Sequence, residues 1–246
     1  MQIFSTKHLQ HFPVARFHVP FHLGFQLPLR QMQRSSSLFL GLISLALMAL
    51  ACWVVFMPKA DGFTVLNTIL LQCPISFWKI FTHGGDGLMV WFAALLLWFA
   101  RRRPEALFLV FGWAISGALV QLSKNFIFPD ALRPMAWFEL QHISLNIPAD
   151  WMPHRNFSFP SGHTATAFVL GFTLSKCSKH LSLAFVAVLL SVSLGLSRIA
   201  LFQHFPEDVL AGAILGIASL WPAASLVRLV LRKWPNLQTS STNSLA

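Results

Sequence analysis

Residues 159–168 read FPSGHTATAF, and a histidine stands among them at the point where an apolar run begins. Residues Pro160 to His163 are expected to open a helix, whose first backbone N–H groups and positive dipole end attract an anion. Gly162 has no side chain, so a bound group can approach the backbone closely. The stretch therefore combines an ionisable side chain with an anion-binding helix start at the boundary of an apolar segment.

Composition assigns the whole chain to the membrane proteins. Of its 246 residues, 55% are hydrophobic, only 11% are charged and none is tyrosine, which is far from the usage of ordinary soluble domains. The cysteines Cys52, Cys73 and Cys177 are an odd number at wide spacing. Neither a disulfide framework nor a metal site is expected from them, and they are interpreted as small apolar side chains.

Six apolar runs are long enough, or nearly so, to cross a bilayer. Crossing about 30 Å of hydrocarbon takes about 20 residues of helix. The second and fourth runs are short and need polar flanking residues to span. The sequence therefore predicts an all-α protein, a bundle of six transmembrane helices, at Leu38–Met57, Gly84–Ala100, Ala106–Ser123, His163–Ser175, Leu181–Ala200 and Asp208–Leu231.

A seventh apolar run, Phe63–Phe81, does not fit this series. Asn67, Gln72, Pro74 and Lys79 interrupt it. It is interpreted as a segment that is either interfacial or re-entrant, and the sequence leaves these two alternatives open.

Basic residues are divided unevenly between the two sides that six spans define. The side of the chain ends receives 12 of the 18 Lys and Arg residues and one acid, Glu105, whereas the other side receives six basic residues and seven acids. Cytoplasmic segments are enriched in Lys and Arg, so both termini are expected in the cytoplasm. The formal charge of +10 is explained by this orientation signal better than by nucleic-acid binding.

The two ends of the chain differ from its middle. Residues 1–34 contain four histidines among Phe, Pro and Gln without a clear period, and a disordered tail is expected there in preference to a metal-binding tract. Translation could start at Met1 or at Met32. Residues 35–234 are predicted to form the membrane domain, with the first span kept as an anchor, and residues 235–246 a polar tail.

Polar side chains concentrate at the outer ends of the spans in three clusters. A single basic residue or histidine at a helix end is usually an interfacial anchor or a satisfied polar group. Two histidines, three cations and an aspartate on one face fit a ligand site better. The clusters are KNFIFPDALRP with Lys124 and Arg133, PSGH with Ser161, Gly162 and His163, and SRIALFQHFPED with Arg198, His204 and Asp208.

These residue types suit phosphoryl transfer. Arg and Lys supply charge and N–H donors for a phosphate. Asp208 follows His204 by four residues, a spacing that can hold one imidazole nitrogen and leave the other to attack phosphorus. His163 can protonate the leaving oxygen and later accept a proton from water. The cations then stabilise the transition state without a metal ion.

The three clusters resemble the signature of the type 2 phosphatidic acid phosphatase superfamily, integral membrane lipid phosphatases related in site design to vanadium haloperoxidases. PSGH and the pattern Ser-Arg, five residues, His, three residues, Asp match in full. The first part has eight residues between Lys124 and Arg133, where the commonest form of the family has six. The extra Pro129-Asp130 turn leaves the placement of Lys124 open. The resemblance extends over about residues 84–231.

The resemblance implies a role for each matched residue, and it implies no cofactor. His204 would be the nucleophile, Asp208 its partner and His163 the general acid. The phosphate-binding residues would be Lys124, Arg133, Ser161, Gly162 and Arg198.

The expected substrate is a lipid with its tail in the bilayer and a phosphate monoester or diphosphate at the extracytoplasmic interface of a bacterial inner membrane. Phosphatidic acid, phosphatidylglycerol phosphate, a polyprenyl diphosphate and lipid A are all compatible with the residues. A lipid phosphotransferase would use the same phosphohistidine with an acceptor other than water, and it remains the alternative. A non-catalytic lipid-binding relative would normally lack a site histidine. The oligomeric state is not set by the sequence.

Overall fold

A computed structural model describes residues 34–149, 151–177 and 179–238. The tails expected at residues 1–34 and 235–246 lie outside these ranges, except for Arg34 and residues 235–238. Within the described ranges all regular structure is helical, which confirms the predicted all-α class. The helices, numbered along the chain, are α1 (Arg34–Phe56), α2 (Lys59–Leu70), α3 (Ile75–Phe81), α4 (Gly87–Phe99), α5 (Arg103–Leu122), α6 (Pro134–Leu140), α7 (Gly162–Lys176), α8 (Leu181–Ala200), α9 (Pro206–Ala218) and α10 (Leu220–Lys233).

Five of the six predicted spans each coincide with one helix and the sixth coincides with two, and the helices differ in length. Among the described residues, four helical segments are long and apolar enough to cross a membrane: Arg34–Phe56, Arg103–Ile127, Leu181–Ala200 and Pro206–Lys233. Helix α4 has 13 residues and α7 has 15, about 20 and 23 Å at 1.5 Å per residue, which is less than the hydrocarbon thickness. A count of six spans therefore stays a prediction, and four are supported by length.

Two predicted segments contain breaks that periodicity did not indicate. The last predicted span is two helices, α9 and α10, which meet at Ser219. The long connection expected between Asn125 and Phe159 contains α6. Pro134 stands at the first turn of α6, where its missing N–H costs nothing because no acceptor lies within the helix.

Helix α7 lies at the centre of the bundle, in contact with α1, α5, α8 and α9. Small residues allow the close packing. A Cβ at Gly171 would lie 1.9 Å from Ser191 Oγ, and one at Gly216 would lie 2.6 Å from the Ala165 carbonyl oxygen. Neither position could carry a side chain without separating the helices.

Helices α2 and α3 form a bent pair, with 94° between Lys59–Leu70 and Ile75–Gly85. The pair stays at one end of the bundle. Lys59 Nζ lies 2.8 Å from Glu207 Oε1 at the start of α9, and Asn67 Nδ2 donates to the Ile199 carbonyl at the end of α8 (2.8 Å). These contacts place the pair where α8 ends and α9 starts, and both the interfacial and the re-entrant interpretation of residues 63–81 stay open.

Basic residues gather at the other end of the bundle. Arg102, before α5, donates to the Cys177 carbonyl after α7, and Arg103 donates to the Asn236 carbonyl after α10. The start of α5 and the ends of α7 and α10 are therefore neighbours. The end of α5, the start of α7, the end of α8 and the start of α9 meet at the opposite end, where the three polar clusters lie.

Candidate active site

The start of α7 is joined directly to α9. Ser161 is the N-cap residue, and its Oγ accepts hydrogen bonds from the Thr164 hydroxyl (2.9 Å) and N–H (3.4 Å). The Ser161 N–H donates to the Asp208 carbonyl oxygen (3.0 Å). The Ser161 N–H is thus already used, and the N–H groups of Gly162 and His163, which have no acceptor within the helix, remain for an anion.

Gly212 permits this contact between the two helices. A Cβ at Gly212 would lie 2.2 Å from the Ser161 carbonyl oxygen, far inside any allowed separation. The absence of a side chain lets α9 approach the PSGH turn until Asp208 reaches Ser161.

The connection between α8 and α9 folds back on Arg198. The N–H groups of Gln203 and His204 both donate to the Arg198 carbonyl (2.9 and 3.2 Å). Phe202 reverses the chain with a φ of 56°, a left-handed conformation that a bulky residue adopts only when its surroundings hold it. Those surroundings are an aromatic cluster in which Phe63 of α2 packs against the rings of Phe138, Phe202 and Phe205.

His204 is almost completely buried, at 2% exposure. Burial, together with the positive charges of Arg133, Arg198 and Lys124, lowers the pKa of His204 well below 6.5. The imidazole is therefore neutral at ordinary pH, which is the form that can act as a nucleophile. The three cations predicted from the sequence clusters therefore all lie close enough to His204 to act on it electrostatically.

Asp208 lies beside His204 but accepts its hydrogen bonds from other groups. The His204 Nδ1 to Asp208 Oδ2 distance is 3.4 Å, and Nδ1 has no hydrogen-bond partner among the described residues. Asp208 Oδ2 accepts from the Phe205 N–H (2.8 Å) and from the Ser158 hydroxyl. Ser158, two residues before the PSGH motif, is a site residue that was not predicted from the sequence, although its place so near the motif was a visible signal.

The two arginines are held by neutral oxygen atoms. Arg133 Nε donates to the Asn156 carbonyl (2.8 Å), and its Nη1 donates to the Gln203 carbonyl (3.2 Å) and side-chain oxygen. Arg198 Nη1 donates to Thr82 Oγ1 (2.7 Å). Arg198 Nε is buried and has no partner among the described residues, so a donor on a 7%-exposed cation is unsatisfied. An anionic ligand would satisfy it.

Lys124 lies in a π-helical turn, Ser123–Ile127, that follows α5. The Phe128 N–H closes this turn on the Ser123 carbonyl (2.8 Å), so the wider turn takes up part of the long Lys124–Arg133 interval. Lys124 acts electrostatically on His204 in spite of the two additional residues.

His163 at the start of α7 contacts an acid that none of the three clusters contains. Its Nε2 lies 2.5 Å from Asp86 Oδ1, and Asp86 Oδ2 lies 2.7 Å from His83 Nδ1. Thr82, which accepts from Arg198, belongs to the same turn. Asp86 and His83 were not among the predicted site residues, because they border an apolar run. The local pattern HGGDG, two ionisable residues among three glycines, was the available signal.

Within the described ranges, no group of three or more His, Cys, Asp or Glu side chains is arranged to hold a metal ion. The positive charge of the site comes from Lys124, Arg133 and Arg198 instead. Such a set of cations around a buried neutral imidazole suits the binding and transfer of a phosphoryl group.

Comparison with known proteins agrees with this chemistry. The model of the PAP2 superfamily matches residues 105–232, just over half of the chain. Lipid A 1-phosphatase from Rhizobium johnstonii is 29% identical over 183 residues, which cover 62% of this chain and 71% of that protein.

Two solved structures have a similar fold. The crystal structure of Aquifex aeolicus LpxE superposes with a TM-score of 0.56 at 25% identity and covers 69% of this chain and 96% of that one. The first transmembrane PAP2-type phosphatidylglycerolphosphate phosphatase structure from Bacillus subtilis gives a TM-score of 0.52 at 21% identity, covering 81% and 98%.

Proposed function

This chain belongs to the PAP2 superfamily and is a lipid phosphatase of the membrane, and from that membership we propose that it works through a covalent phosphate on His204. The surroundings of His204 carry the proposal. A neutral imidazole is buried beside the Asp208 carboxylate and among three cations. A nucleophile, a carboxylate to stabilise its charged form and an electrostatic cradle for phosphate are thus together.

In the first step, His204 Nε2 attacks phosphorus while the bond from phosphorus to the leaving oxygen breaks. His163 gives a proton to that oxygen, so the lipid product leaves as a neutral alcohol, or as a lipid phosphate if the substrate is a diphosphate. Asp208 stabilises the positive charge that develops on His204, and the cations stabilise the charge on the transferring phosphoryl oxygens.

In the second step, water attacks phosphorus and the bond between phosphorus and Nε2 breaks. His163, neutral after the first step, takes the proton of the attacking water. Inorganic phosphate is released, and His204 returns to its neutral form.

We place the site on the extracytoplasmic side of a bacterial inner membrane. Support comes from the two ends of the bundle, since Arg102, Arg103 and Lys176 lie at the end opposite the site. Short segments rich in Lys and Arg stay in the cytoplasm. Six spans, with α4 and α7 lengthened by polar flanks, would put both termini there.

The substrate is a lipid phosphate, and the relatives suggest where to begin. Lipid A and phosphatidylglycerol phosphate are in the names of similar proteins, and phosphatidic acid and a polyprenyl diphosphate complete the panel. The experiment is phosphate release from these four lipids by purified protein in detergent with excess EDTA.

His204→Ala is the test variant, and His154→Ala, an exposed histidine of the same outer region, is the matched control. We expect the wild type and the His154 control to hydrolyse one lipid in EDTA. The His204 variant should hydrolyse that lipid less than about a thousandth as fast, because the nucleophile is lost. An absolute need for added divalent metal, or turnover retained by the variant, would refute the mechanism. A phosphorylated acceptor in place of free phosphate would favour the transferase alternative.

A further inference from the structure

A turn outside the three motifs brings two ionisable side chains to the site. The turn, Thr82–Gly85 and Asp86, connects α3 with α4 and precedes the region that the family model matches. Asp86 bridges two histidines, with Oδ1 2.5 Å from His163 Nε2 and Oδ2 2.7 Å from His83 Nδ1.

The backbone of this turn packs against α7 and α8. A Cβ at Gly85 would lie 3.2 Å from the His163 carbonyl oxygen and 3.6 Å from its Cβ, so the turn packs directly on the start of α7. Thr82 Oγ1 accepts from Arg198 Nη1 on α8 (2.7 Å), and the Asp86 N–H donates to the His83 carbonyl (3.1 Å). The carboxylate is therefore positioned by contacts on each side.

Asp86 counteracts the effect of the neighbouring arginines on the protonation of His163. Burial, followed by the like charges of Arg198 and Arg133, opposes protonation of His163, whereas Asp86 favours it as an opposite charge and hydrogen-bond partner. A general acid must carry its proton when the substrate arrives. A carboxylate on Nε2 keeps a proton on that nitrogen in both protonation states, so the other nitrogen, Nδ1, is the one that exchanges a proton.

We propose that Asp86 is a positioning residue for the general acid, holding the Nε2–H of His163 so that Nδ1–H protonates the leaving oxygen, with His83 orienting Asp86. The step balances: the Nδ1–H bond breaks, the proton goes to the leaving oxygen, and His163 remains neutral with its proton on Nε2. Nδ1 then takes the proton of the attacking water. This inference rests on the proposed function, because it assumes phosphoryl transfer to His204.

A purely structural role for the Asp86–His163 pair has little to support it. The side chains of His163 and Asp86 are 35% and 33% exposed. Ion pairs near water contribute little to the stability of a fold. Loss of activity on removing the Asp86 charge would then have to come from the chemistry.

The test compares leaving groups in the first step of the reaction. The lipid that the wild type hydrolyses has an alkoxide or sugar-oxygen leaving group that needs a proton, whereas p-nitrophenolate leaves without one. In rapid-quench experiments, Asp86→Asn is expected to slow phosphorylation of His204 by the lipid about 10–100-fold, a part of the roughly 100- to 10,000-fold that general acid catalysis contributes, because His163 itself is still present. The burst of p-nitrophenolate from p-nitrophenyl phosphate should change less than about threefold.

Two further variants complete the experiment. His83→Gln, at an exposed side chain, is expected to show the same selectivity with a smaller loss, and it tests the proposal even if the Asp86 variant folds poorly. Asp61→Asn, an exposed acid on α2, should leave both substrates unchanged.

Equal slowing of the two substrates by Asp86→Asn and His83→Gln would overturn the proposal in favour of a structural role, and an unchanged rate of His204 phosphorylation by the lipid in both variants would overturn it outright. The proposed function fails in a different way, since a wild type without phosphohistidine would give no burst at all.

Discussion

At the scale of single residues, two hydrogen-bond donors hold the Asp208 carboxylate beside His204. Oδ2 holds the Ser158 hydroxyl and the Phe205 N–H, and it stands 3.4 Å from His204 Nδ1. Those two donors fix the carboxylate where a cationic His204 would meet it. In the proposed mechanism, Ser158 would therefore act through Asp208.

Ser158→Ala should lower kcat by about tenfold or more without changing KM. A hydrogen bond to a charged group contributes about 1.5–3 kcal/mol, and each 1.4 kcal/mol at the transition state is a factor of about ten in rate. Ser191→Ala is the control for a loss of stability alone. Ser191 is an equally buried serine on α8, and its hydroxyl donates to the Ala167 carbonyl of α7. Equal kcat values in the two variants would show that Ser158 has no part in catalysis.

The acid limb of the pH profile should lie below pH 6.5. Burial and the neighbouring cations lower the pKa of His204, so the nucleophile stays neutral until the pH falls below the ordinary imidazole value. Lys124→Gln removes one of these charges and should move the limb of kcat/KM to higher pH. Arg228→Gln, at the exposed surface of α10, should leave the acid limb at the wild-type pH. An acid limb that Lys124→Gln does not move would contradict this account.

The lowered pKa of His204 also makes the free energy of unfolding depend on pH. The unfolded chain binds a proton at the ordinary pKa of histidine, whereas folded His204 does not. Below pH 6.5 the unfolded state therefore gains a proton that the folded state does not bind. The free energy of unfolding is highest above pH 6.5, as far as His204 affects it, and it falls as the pH drops below that value.

At the scale of helices, the site is built where α7, α8 and α9 meet and where the bent α2–α3 pair covers them. The start of α7 and the start of α9 are joined by the Ser161–Asp208 backbone hydrogen bond. The α2–α3 pair adds Phe63 beneath the His204 loop and Thr82 against Arg198. The segment that interrupts the series of spans is thus part of the active-site frame.

Gly212→Ala should disrupt this frame. Its Cβ would meet the Ser161 carbonyl oxygen at 2.2 Å, so α9 must withdraw and the Asp208–Ser161 contact is lost. We expect about 1–3 kcal/mol of destabilisation and a loss of activity that exceeds it. Gly117→Ala on α5, with no atom within 4 Å of its Cβ, should be neutral or stabilising in thermal unfolding, and equal behaviour of the two variants would contradict the packing described.

At the scale of the whole molecule, charge and polarity separate the two ends of the bundle. One end carries the basic residues Arg102 and Arg103, and the other end carries the site and the connection between α2 and α3. This separation makes the orientation of the protein measurable.

Labelling with a membrane-impermeant maleimide should distinguish the two ends. In a background of Cys52→Ala and Cys177→Ala, the native Cys73, exposed between α2 and α3, should react in intact bacterial cells. In Lys179→Cys with Cys73 also replaced by Ala, the exposed position between α7 and α8 should react only after permeabilisation. Reaction of both from the same side would exclude the proposed topology.

The amino-acid sequence by itself determined the helical class, the membrane environment, the superfamily and the motif residues, because apolar run length and short motifs are local properties of the chain. The comparisons confirmed the superfamily that the motifs indicated. Only the tertiary structure decided that α9 and α10 are separate helices, that Ser158 holds Asp208 and that Asp86 meets His163. Those contacts join residues as much as 77 positions apart, and their distances depend on helix packing through small residues such as Gly85 and Gly212, which no local pattern encodes.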